Sequence, residues 1–141
     1  CFPIPGNGKY LRQPLYSRDF CHCILAAMER SMINQTHDIV GQEEINYIDL
    51  IYAIKRIKKL KTPIIKIPYR LFYCLLKVYA CFSKNPPFTP DQLKALTSGD
   101  YFTGCDIKGT FGFKPTPLEQ ALTESYTNPT YSHITLKRSN L

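Results

Sequence analysis

Between Leu50 and Pro90 the sequence contains no aspartate or glutamate. Lys55, Arg56, Lys58, Lys59, Lys61, Lys66, Arg70, Lys77 and Lys84 all fall within that interval. A region with cations and no compensating acid attracts anions: lipid headgroups, nucleic acid or a nucleotide. A solvated helix face is the plainer reading of KRIKKLK. The chain also lacks any apolar run long enough to cross a bilayer. Its greasiest stretch, PYRLFYCLLKVYACFSKN, is too short and is interrupted by Arg70 and Lys77. With 141 residues and 44% hydrophobic content, the composition argues against disorder and for one domain with a real core. The chain opens on Cys1, in sequence that already reads as mid-domain, so the expectation is a piece of something longer.

Several catalytic signatures are missing too. There is no Gly-x-Ser-x-Gly, and His22, His37 and His133 have no adjacent nucleophile pattern. No recognition-helix signature or RNA-binding aromatic motif supports a nucleic-acid partner. Six cysteines invite a disulfide or zinc reading. Cys21 and Cys23, two apart on a helical pattern, point in nearly opposite directions. Cys74 and Cys81, seven apart on another, lie about 10 Å apart along the axis, beyond disulfide reach. The expectation is reduced, mostly buried thiols and no metal.

What is present alternates between helices and short strands. Residues 1–16 read as loop with short extended pieces, and Gly6 and Gly8 of PGNGK as turn glycines. Phe20, Cys23, Ile24, Ala27 and Met28 form one apolar stripe, with Ser17 as N-cap. THDIVG and PIIKIP read as strands. In NYIDLIYAIKRIKKL, the residues Tyr47, Leu50, Ile51, Ile54 and Ile57 share a face, and Asn46 with Asp49 resembles a capping pair. PYRLFYCLLKVYACFSKN is a third helix. Two further helices carry Thr89, Pro90 and Gln92, and Thr116, Pro117 and Glu119, as start signals. Between them lies a loop with a short helical turn, in which Asp100 and Asp106 organise turns. The fold class is α/β and helix-rich, with few short strands and about five helices. There are too few strands for a complete doubly wound sheet.

Three stretches, in order, carry a family resemblance. PGNGKYLRQPLYSRDFCHCILAAM resembles the arginine, Val-x-Asp and helix block of extended short-chain dehydrogenases. DIVGQEEINYIDLIYAI resembles their Asn-Ile-Gly-Gly strand and following helix. LTSGDYFTGCDIKGTFGFKPTPLEQALTESY resembles their closing segment. The family is that of the NAD-dependent epimerases and dehydratases, of the UDP-galactose epimerase type. The resemblance covers residues 1–128, the substrate-binding C-terminal part of a Rossmann-type enzyme, with 129–141 as a tail. It implies that NAD or NADP is held by a missing N-terminal Rossmann half, and that this stretch holds no cofactor and no catalytic residue. The Gly-x-x-Gly-x-x-Gly fingerprint is absent. The formal Tyr-x-x-x-Lys of Tyr73 and Lys77 falls after the substrate block, in an apolar helix, and is read as accidental. Arg12 stands on the position that contacts the diphosphate of a nucleotide sugar, for which its planar fork is suited. Phe2 and Ile4 lie where the family lays chain along the nucleobase. Asp19, opening the helix, is read as structural. No arginine precedes Gly99-Asp100, where many of these enzymes have a second phosphate contact; Lys94 is the nearest cation.

The function expected is thus a nucleotide-sugar-binding part of an epimerase, dehydratase or reductase, cytoplasmic and inactive without its cofactor half. Exposed apolar surface left by that half would favour association, including with further copies of the chain. The alternative is a basic amphipathic module that binds an anionic membrane surface, pairing the cations of residues 50–90 with the apolar run from Tyr69 to Phe82.

Overall fold

The computed structural model describes residues 1–82, 88–99 and 101–132. Strand β1 (Phe2–Pro5) ends at a turn through Gly6 and Gly8, and β2 (Leu11–Arg12) leads into helix α1 (Ser17–Glu29). An irregular stretch precedes β3 (Ile45–Asn46), which runs directly into α2 (Tyr47–Ile57). Strand β4 (Ile64–Ile67) is followed by α3 (Tyr69–Phe82), α4 (Pro90–Ser98), the short α5 (Ile107–Phe111) and α6 (Leu118–Thr127). The chain is therefore a helix-rich α/β protein, with six helices and four short strands among the described residues.

The strands form two separate pairs. β1 runs parallel to β4, with Phe2 opposite Ile64 and Ile4 opposite Lys66, while β2 and β3 are antiparallel. A parallel pair requires a long crossover. Here α1, the β2–β3 pair and α2 all lie on that crossover.

Local chemistry explains two of the helix starts. Thr89 and Gln92 form a reciprocal capping box: the Gln92 N–H donates to Thr89 Oγ1 (3.2 Å), and the Thr89 N–H to Gln92 Oε1 (3.0 Å). Asp106 caps α5, accepting from the N–H groups of Lys108 and Gly109. Both agree with the sequence reading. The second expected box is different. Pro117, not Thr116, is the N-cap of α6, and its side chain supplies no cap. Thr116 bonds instead to Asp19, and the Leu118 N–H donates to Glu43 Oε1 (2.8 Å). Distant carboxylates thus serve the helix end that a neighbouring hydroxyl was expected to cap. Ser17 is the first residue of α1, with Tyr16 at the N-cap. The Asn46 amide does meet Asp49 (3.0 Å), but neither side chain caps α2.

Other expectations also need correction. THDIVG is not a strand. The Cys105 N–H donates to Asp38 O (2.8 Å), and no ladder follows. The segment is instead wedged: a Cβ on Gly41 would lie 2.1 Å from Pro14 O, and one on Gly104 would lie 2.3 Å from Val40 Cγ2. The stripe expected on α1 is split. Cys23 is buried and Ala27 half-buried, whereas Phe20, Ile24 and Met28 face solvent. Nor are the thiols mostly buried: Cys1, Cys21, Cys74 and Cys81 are exposed, Cys105 is intermediate, and Cys23 alone is buried. The turn expected at Asp100, the helix expected to run through residues 83–85, and the tail beyond 132 lie outside the described residues.

Two groups of side chains carry the core. Cys23, Ile107 and Phe111 form one, flanked by Leu15, Met32, Ile39 and Phe113. Ile4 and Ile48 are buried around the turn after β1. That turn requires its glycines. Gly6 and Gly8 have φ of +64° and +73°, which side chains rarely adopt. A Cβ on Gly8 would lie 2.8 Å from Ile48 Cβ, whereas one on Gly6 would meet nothing within 4 Å. Gly6→Ala should therefore lose about 1 kcal/mol for backbone strain alone, and Gly8→Ala about 3 kcal/mol. Urea unfolding of the two variants checks this; equal losses would contradict the close approach.

Candidate functional site

A cavity of about 460 Å³ opens at the N-terminal end of α6. Its walls come from three segments: 14–16 before α1, 41–43 in the irregular stretch, and 114–118 leading into α6. Ile107, Ala121 and Leu122 add to the lining. The size lies within the usual range for small-ligand sites. Prolines 14, 115 and 117 stiffen the rim.

The polar groups around this cavity are largely engaged with the fold. Asp19 is only 3% exposed, and its two carboxylate oxygens accept from the Thr116 N–H (2.7 Å) and hydroxyl (2.8 Å). Glu43 accepts from the Leu118 N–H. A helix N-terminus ordinarily favours an anion. Here two carboxylates already occupy that role, so the cavity disfavours a phosphate. Its chemistry suits an apolar group without negative charge.

The residues singled out from sequence lie elsewhere; neither Arg12 nor Phe2 nor Ile4 lines this cavity. Arg12 sits half-buried on β2. Its guanidinium donates to Leu11 O (3.0 Å) and to Leu96 O in the last turn of α4, a contact that suits a cation at a helix C-terminus. Ile4 is wholly buried, and Phe2, on the same strand, is partly exposed. Tyr10 and Tyr47 stand beside Arg12 with ring centroids 5.7 Å apart, a pairing the sequence reading missed. Burial pushes both phenols above their usual pKa, so they are neutral at physiological pH. The alternation Tyr10–Leu11–Arg12 on a strand could have signalled that Tyr10 and Arg12 share a side.

PGNGK does not form a phosphate cradle. The Gly6 N–H donates to Ile67 O (2.7 Å) and the Lys9 N–H to Asn7 Oδ1 (2.9 Å), so the turn spends these donors internally. Lys77 Nζ lies over the ring of Tyr73, 5.0 Å from its centroid. That is a cation–π contact. Cys23, the buried thiol, has its pKa raised by burial, which suits packing rather than nucleophilic attack. Among the described residues no group of three or more His, Cys, Asp or Glu side chains is placed to hold a metal ion.

A second polar cluster ties the α1 entrance to α6. Arg18 forms an ion pair with Glu124, and the Tyr131 hydroxyl donates to the same carboxylate (3.2 Å). The buried Tyr16 hydroxyl sits beside these groups without a hydrogen bond of regular geometry. Tyr16, opposed by partial desolvation and aided by Arg18, holds the Glu124 carboxyl below its usual pKa. Comparison with protein-family models finds no match to this chain, and comparison with curated proteins finds none.

Two predictions follow from the charges. Asp19→Ala leaves the Thr116 donors unsatisfied and should cost about 3 kcal/mol, against about 1 kcal/mol for Asp19→Asn, as read by denaturant unfolding. Glu124 has a depressed folded pKa, so its contribution is present above its unfolded pKa and lost as pH falls through the folded one. Glu124→Gln should thus be less stable near neutral pH, with the gap closing in acid below about pH 4. A gap independent of pH would exclude the carboxylate as its source.

Proposed function

We propose that this chain forms the substrate-side lobe of an NAD(P)-dependent epimerase, dehydratase or reductase acting on a nucleotide sugar or a related anionic small molecule. The parallel β1–β4 pair carries this reading. Parallel strands joined through helical crossovers belong to α/β sheets covered on both faces, and two such strands make a poor free-standing sheet. The pair is therefore read as one part of a larger α/β architecture. The outward face of α1 offers a seat for a cofactor-binding Rossmann unit. Phe20, Ile24, Leu25 and Met28 are each 44–72% exposed there, with no charged residue among them.

In this reading Arg12 meets the diphosphate and Phe2 lies along the base, while Ile4 contributes through the strand rather than by side-chain contact. The two neutral tyrosines beside Arg12 give it a rigid setting. NAD or NADP, hydride transfer and the catalytic base belong to the other lobe, so this chain alone transfers no hydride. In the absence of that lobe the α1 face drives association.

Thermal unfolding in the presence of uridine diphosphate tests the reading. Saturating ligand, about 100-fold above Kd, contributes about 2.7 kcal/mol, a rise in Tm of several degrees. Arg12→Ala should abolish the rise and Arg12→Lys should weaken it, each compared with its own ligand-free Tm because Arg12 also holds Leu96 O. Nicotinamide dinucleotide should leave Tm unchanged. No response to millimolar uridine diphosphate, or an equal response in Arg12→Ala, would sink the assignment.

A further inference from the structure

Helix α3 has no buried residue. Phe72, Tyr73 and Leu76 are half-buried on its inner side, where Phe72 meets Phe88 edge-to-face at 6.4 Å. The opposite side is apolar and open. Leu71, Leu75, Val78 and Phe82 are 54%, 53%, 57% and 87% exposed, and Cys74 is exposed among them. At 100° per residue these positions fall on one stripe, the spacing of a helix whose apolar face is meant to be covered. Arg70 and Lys77 lie together on one flank of that stripe, and Tyr79 on the other. The helix contains no acid, and neither does any position from 50 to 90. No helix among the described residues is long and apolar enough to cross a membrane.

We propose that α3 lies in the plane of an anionic lipid surface, its Leu71–Leu75–Val78–Phe82 stripe set into the boundary between headgroups and acyl chains. Charge singles out lipid as the occupant. A protein-covered face is commonly neutral, as the outward face of α1 is, whereas a stripe bordered by cations and tyrosines matches the headgroup layer. Lys77 Nζ lies over Tyr73, toward the inner side of the helix, and its flexible stem must swing outward for the ammonium to meet a phosphate or carboxylate headgroup. The helix, about 21 Å long, lies along the surface and does not enter it end-on.

Co-sedimentation with phosphatidylcholine vesicles, with and without about 30% phosphatidylserine, tests this at low salt and at about 0.5 M salt. Binding should require phosphatidylserine and fall at high salt. Leu75→Asp/Phe82→Asp should weaken it at least about tenfold, with Tm unchanged because both sites are exposed. Arg70→Gln and Lys77→Gln should each weaken it about fivefold. On binding, Cys74 and Cys81 should become protected from a water-soluble maleimide, while Cys21 on α1 keeps its rate. The proposal is overturned by no binding to the anionic vesicles, by undiminished binding of Leu75→Asp/Phe82→Asp, or by protection of Cys21 in place of Cys74. It is also overturned if that double variant abolishes self-association without lipid and vesicles bind nothing, which would make a second copy the occupant. None of these outcomes bears on the response to uridine diphosphate.

Discussion

The paired hydrogen bonds from Thr116 to Asp19 fix the orientation of α1, and much else depends on that orientation. Asp19 is the one buried charged side chain among the described residues, and its partner is 97 positions away in the chain. A carboxylate at such depth is tolerated only when both oxygens are satisfied. Once Asp19 must face Thr116, helical geometry dictates the rest of α1. Cys23, one turn on, meets Ile107 and Phe111, and Ala26 and Ala27 follow on the same side. Phe20, Ile24 and Met28 are thereby committed to the outside. The same bond places the start of α6 beside the 14–16 segment, which creates the cavity between them.

This explains which features the sequence made legible. Signals that act within three or four residues were readable: the Thr89–Gln92 box, the Asp106 cap, and the turn glycines 6 and 8. The face of α2 was read only in part: its five expected residues are half-buried, while Ile48, the one buried residue of that helix, was not among them. The start of α6 was misread because Thr116, a good local cap, has a better partner in a buried carboxylate far away in the chain. The stripe on α1 was misread for a related reason. Apolar periodicity alone favoured Phe20, Ile24 and Met28 as core, whereas the buried face is built from an acid, a thiol and two alanines. Residues 36–41 have strand composition, but their neighbours 14 and 104 approach too closely for a partner strand. Tyr10, Arg12 and Tyr47 meet through the β2–β3 pairing, a contact between segments that carries no short-range pattern.

Two helices therefore present apolar faces to the outside, and charge separates them. Residues 17–30, covering α1 and its C-cap, hold Arg18, Asp19, Glu29 and Arg30, with no net charge, and Arg18 is tied to Glu124. Helix α3 holds Arg70 and Lys77 and no acid. Apolar area drives burial in either case, without direction or preference for a partner. Selectivity comes from the rim. A neutral rim admits another protein face, while a cationic rim repels most basic surfaces and is drawn to an anionic one.

The same reasoning decides where an anion can sit on this chain, and it overrides size. The 460 Å³ cavity is the obvious place to put a ligand, and an α6 N-terminus beside it would ordinarily strengthen the case for phosphate. But Asp19 and Glu43 already take the N–H groups of Thr116 and Leu118. The first N–H of α6 is thus taken by one of the protein's own acids. A phosphate placed there would face the carboxylates of Asp19 and Glu43. Arg12, which donates to Leu11 O and Leu96 O, stands near two neutral tyrosines and outside this cavity. In the proposed reading the diphosphate lies instead at the β2–β3 pair, away from this cavity.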